Sequence, residues 1–136
     1  MEVHVVSPEL RKKFILDEAA ATERTERLVV DLCEWCVLDP KGRVIIKRDD
    51  LPSRDRVKVV LSARWLAAEL DSGISAEVST VDLAASTGLP ADQLRARLSE
   101  VVRSRFASAT SKGVYVAAPR HVEVFVRELT ERLANR

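Results

Sequence analysis

The residues that do chemistry are thin on the ground in this 136-residue chain. Two histidines, His4 and His121, stand far apart, and there is no glycine-rich phosphate loop, nucleophile elbow or metal-spaced cluster. An enzyme is therefore not expected, and no cofactor is implied. No apolar run approaches the ~20 residues that a membrane-spanning helix needs. The opening MEVHVV is not the basic-then-apolar layout of a secretory signal, so the cytoplasm is the expected compartment. Internal repeats and low-complexity stretches are absent as well. Cysteine is confined to Cys33 and Cys36, a single C-E-W-C without a second pair or a strand–helix–strand context. The motif falls inside LVVDLCEWCVL, an apolar helical run, and reads as two buried thiols packed like small hydrophobes. A disulfide and a metal pair are the alternatives. An excess of one charge sign is missing too: the net charge is +1, so the whole chain is not an electrostatic glue for nucleic acid.

What is present is the material of one compact helical domain, 46% apolar and 32% charged. Its charge is unevenly placed. Between residues 91 and 120, Arg95, Arg97, Arg103, Arg105, Lys112 and Arg120 face only Asp92 and Glu100, a net of +4, whereas residues 1–50 carry −2. The positive excess gathers in one stretch.

Ser7-Pro8-Glu9 opens a helix with a capping hydroxyl, a first-turn proline and an acid at the positive end of the dipole, and Leu10, Phe14 and Ile15 give it an apolar side. The charged stretch 17–27 keeps a helical composition. From Leu28 to Cys36 an apolar face predicts more helix, as one rod or two, ending at the turn Asp39-Pro40-Lys41-Gly42. Arg43 to Lys47 reads as a short strand. A helix over about 54–70 has only a narrow polar strip, Lys58, Ser62 and Glu69, and is expected to be central. After a loop over 71–78, Ser79 with Asp82 caps a short helix to about Ser86, and Gly88 sits where the chain needs a positive φ. Leu89-Pro90 opens a further helix to about Arg105, with Leu94, Leu98, Val101 and Arg105 on one side. Ser111-Lys112-Gly113 turns a hairpin between 106–109 and 114–117, and Pro119 starts a last helix with Val122, Phe125, Val126, Leu129 and Leu133 inward.

Leu83-Ala84, Gly88-Leu89 and the periodic Leu94, Leu98 and Val101, followed by a hairpin with Lys112-Gly113 at its tip, resemble the winged helix-turn-helix pattern. The layout is similar to that of small regulators of archaeal type. The resemblance covers about residues 54–118, and Arg105-Phe106 departs from it where glycine-leucine is usual. It implies a mainly α fold with a small β wing: an N-terminal helical and strand extension over 1–50, and a winged helix-turn-helix with a C-terminal helix over 51–136.

The implied function is binding of double-stranded DNA by a transcriptional regulator, through a reading helix at about 90–105 and a short wing at about 106–118. Gln93 has the chemistry to pair with adenine, and Arg95 with guanine or phosphate, while Ala96 and Ser99 permit close approach. Arg97, Arg103 and Lys112 suit phosphates. Asp92 and Glu100 on the same helix repel phosphates, although an acid also accepts from cytosine. A winged helix that binds protein instead of DNA is the alternative. Apolar surface over Leu28–Leu38, at Trp65 and over Val122–Leu133 exceeds what one small domain covers, so a homodimer is expected.

Overall fold

The computed structural model describes residues 8–9 and 18–134. Pro8 and Glu9 are helical, and the apolar face expected from Leu10, Phe14 and Ile15 lies outside the described residues. The chain is mainly helical with two small antiparallel sheets. In order come α1 (Glu18–Leu32), β1 (Cys36–Leu38), β2 (Val44–Ile46), α2 (Ser53–Leu70), β3 (Val78–Ser79), α3 (Thr80–Thr87), α4 (Ala91–Arg103), β4 (Ala107–Ser111), β5 (Val114–Ala117) and α5 (Pro119–Ala134). β1 pairs with β2, and the second sheet has the order β3-β5-β4.

The C-E-W-C segment is not helical, contrary to its apolar pattern. α1 stops at Leu32, Trp35 N–H donates to the Leu32 carbonyl across a turn, and Cys36 begins β1. Short apolar runs fit helix and strand alike, and here the Asp39–Gly42 turn decides in favour of a hairpin. Asp39 Oδ1 accepts from the Lys41 and Arg43 amides, each at 2.9 Å, and Gly42 takes φ +88°. Cys36 pairs with Ile46 and points inward, whereas Cys33 is exposed in the turn. Both thiols are free, so the expectation of two buried helical cysteines holds only for the burial of Cys36.

α2 is the hub: α1, α3, α4, α5 and both sheets pack on it. Its polar strip is not a solvated one. Ser62 is fully buried, and Lys58 lays its Nζ over the rings of Phe106 and Phe125, 5.2 and 5.5 Å from their centroids. Only Glu69 is exposed. Asp55, in the first turn of α2, is also buried and is bonded to Arg132 of α5 at 2.5 Å. α5 lies against α1 and α2 and buries Val122, Phe125, Val126 and Leu129 there. Trp35 is enclosed as well, with the Arg48 guanidinium 4.5 Å from its ring centroid. Most of the apolar surface thought to be in surplus is thus covered within one chain.

The loop after α2 contains a strand that its sequence does not announce. Val78 and Ser79 pair with Tyr115 and Val114. Arg64 fixes the approach, donating from Nε to the Ser75 carbonyl at 2.9 Å and from Nη2 to the Glu77 carbonyl at 3.0 Å. Such two-pronged bonding is what a planar guanidinium supplies.

Candidate nucleic-acid interface

α3 starts and stops where its local residues dictate. The Ser79 hydroxyl accepts from the Asp82 amide at 3.1 Å, and Gly88 closes the helix at φ +71°, its amide donating to the Ala84 carbonyl. A Cβ at Gly88 would meet nothing within 4 Å, so glycine is needed there for conformation and not for space. Leu83 in α3 and Leu94, Leu98 and Val101 in α4 are buried, which presents the other side of α4 to solvent.

α4 is shorter than its periodicity predicts. It ends at Arg103 with the Arg105 amide bonded to the Val102 carbonyl and the Phe106 amide to the Val101 carbonyl. This is the paired-bond helix stop that usually carries glycine at its left-handed position. Arg105 occupies that position with φ +68° and is exposed, not on the apolar face with Val101. Phe106 follows into the core, edge-on to Phe125 at 5.6 Å. β4 and β5 then form the hairpin, with Gly113 at φ +73° at its tip. The hairpin is braced against α3: the Thr80 amide donates to the Gly113 carbonyl at 2.9 Å.

Between α3, α4 and the hairpin opens a groove of about 800 Å³, bordered by Val81, Ala84, Arg95, Ser99, Arg103 and Tyr115 among others. Of the six residues singled out from sequence, Arg95, Ser99 and Arg103 come together on this groove, and Lys112 is exposed at the tip of the hairpin whose Ala109 and Tyr115 border it. Gln93 is exposed, but by 100° steps it belongs to the opposite flank of α4, with Arg97 and Glu100. Arg97 does not join the groove. Its Nη2 lies 3.3 Å from Glu100, and its Nε is enclosed without a partner.

The two acids of α4 have different surroundings. Glu100 receives Arg54 Nε at 2.7 Å, and this bond, with the charges of Arg54, Arg97 and Arg103, holds its carboxyl below the usual carboxylate range. Its repulsion toward an incoming phosphate is therefore largely offset. Asp92 remains outward, 4.0 Å from Arg95. Arg54 is 46 residues from Glu100, and no local pattern announces the pair. The groove's apolar members Val81, exposed on a short helix, and Tyr115, part-buried on a short strand, carry no periodic signal of their own in the sequence.

Among the described residues, no helix is long and apolar enough to cross a membrane, and no group of three or more His, Cys, Asp and Glu side chains is placed to hold a metal ion. Compared with protein-family models, curated proteins and solved structures, the chain matches none.

Proposed function

We propose that the chain is a DNA-binding regulator of winged-helix type, laying α4 in the major groove of a duplex with the β4–β5 hairpin against the adjoining backbone. The observation that carries this reading is the exposure of Arg95, Ser99 and Arg103 along one open groove, with Lys112 on the hairpin next to it. A helix covered on that side by another element could not enter a groove. The order helix–strand–helix–helix–hairpin over α2 to β5, with β5 between β3 and β4, supports a winged-helix assignment. A helix with its side chains is about 10–12 Å across and suits the ~12 Å width of the major groove, and small outward residues of α4 such as Ala96 and Ser99 allow its backbone to approach base edges.

The test is a titration of a random-sequence duplex by fluorescence anisotropy at two salt concentrations. Binding that weakens steeply with salt is expected, because phosphate contacts release counterions. The reading fails if the duplex does not bind at low salt. A protein ligand is then the second reading, and one observation favours it: Val81 is 75% exposed in the same groove, an apolar surface that a partner's side chains would cover.

A homodimer belongs to this proposal on a narrower basis than the sequence offered. With the apolar face of α5 and Trp35 buried, the apolar residues left open around α1, the first hairpin and the end of α2 are Val30, Val37, Ile45 and Leu70. Val37 and Leu70 line a small apolar cleft of about 120 Å³ between α1, β1 and α2. A two-fold pairing there would carry two copies of α4 to half-sites about one helical turn apart.

A further inference from the structure

We propose that Asp92 and Arg95 act as one unit that selects a G·C base pair. The inference rests on the duplex-binding reading of α4. The two side chains are three residues apart on one face, with Arg95 Nη1 and Asp92 Oδ1 4.0 Å from each other and exposures of 81% and 97%. Neither is committed to the fold. Their neighbours toward the outside, Ala91, Ala96 and Ser99, are small and exposed, so nothing on α4 holds this end away from a base pair.

The chemistry selects the ligand. In the major groove a G·C pair offers two adjacent acceptors, guanine N7 and O6, and beside them the cytosine N4 donor. Guanine O6 and cytosine N4 share one Watson–Crick hydrogen bond, so they lie only ~2.9 Å apart. A guanidinium next to a carboxylate is the complement of that row: two donors for N7 and O6, one acceptor for N4. An A·T pair alternates acceptor, donor, acceptor and cannot satisfy a bidentate arginine. Asp92 is also a repulsive element. Its charge faces solvent, unlike that of Glu100, so it disfavours phosphates and every base pair that leaves it unpaired.

Selection from random duplexes tests this with the wild type, Asp92→Ala and Arg95→Ala. The wild type is expected to fix G·C at one position, with about tenfold or greater discrimination against A·T. Asp92→Ala, which removes both the charge and the acceptor, should bind all duplexes more tightly while losing part of that discrimination, and Arg95→Ala should lose most of it along with affinity. Both side chains are solvent-facing, so the variants should stay folded, with Asp92→Ala melting slightly lower because an acid in the first turn of α4 favours the helix dipole. Selected sites without a fixed G·C pair, or unchanged discrimination in Asp92→Ala, overturn the inference and leave duplex binding intact. Absence of any duplex binding removes the underlying reading and the inference together.

Discussion

Arg105 carries the one positive φ of any described residue other than glycine. A left-handed conformation costs an ordinary residue about 1–2 kcal/mol, and the strain is held in place by the two amide bonds that close α4 and by the burial of Phe106. Arg105→Gly should therefore raise stability by about 1 kcal/mol after allowance for the greater freedom of glycine in the unfolded chain. Thermal denaturation checks this, and an unchanged or lower midpoint would show that the arginine side chain compensates. Asp39 makes a different contribution. The Arg43 amide bond, followed by that of Lys41 and the charges of both residues, holds its carboxyl below the usual range. A depressed folded pKa gives stability that is present above the unfolded value and lost as the pH falls through the folded one. Denaturant midpoints measured between pH 6 and 3 should drop less steeply in Asp39→Ala than in the wild type. Burial pushes the Cys36 thiol up to about 12, with Cys33 adding to the shift and Lys47 opposing it. An alkylating reagent at pH 8 should thus modify one thiol of the native protein, Cys33, and reach Cys36 only on unfolding. Prompt modification of both would mean that β1 opens readily.

Among the elements, α3 was readable from residues alone, because its Ser79 cap and Gly88 stop are local devices. The same holds for Pro119 at the start of α5 and Gly113 in the hairpin. β1 was not readable, since CVL is as apolar as a buried helical turn and only its pairing with Val44–Ile46 makes it a strand. β3 has two residues and exists because β5 is there to pair with it. The groove was half visible. The 100° steps group Arg95, Ser99 and Arg103 and set Arg97 on the opposite flank, but nothing local announces that Arg97 pairs with Glu100 and that Glu100 is held by the distant Arg54. The hairpin contributes its own test. Lys112 is a point charge at an exposed tip, so Lys112→Ala should weaken binding to all duplex sequences alike and reduce the salt slope by about 1. A sequence-dependent loss would place its side chain on a base instead.

For the molecule as a whole, one core cluster runs from Leu28 in α1 through α2 to Leu129 in α5. The N-terminal elements are therefore part of the same packing as the helices that follow them. What they leave uncovered decides the assembly. Val37 and Ile45 form a cross-strand pair on the outer face of the first hairpin, each about half exposed. If copies associate there, Val37→Lys should shift a dimer to a monomer in light scattering with little change in melting temperature, as the position is a surface one. A wild-type protein that scatters as a monomer at high concentration removes the dimer and leaves the groove on α4 untouched.

The bond from the Thr80 amide to the Gly113 carbonyl turns one backbone proton into a gauge. While the tip rests on α3 that proton is shielded, and it trades with deuterated solvent only when the tip lifts away. Its exchange rate, followed with and without oligonucleotide, would therefore report how often the jaw beside the groove springs open and whether a bound guest clamps it shut.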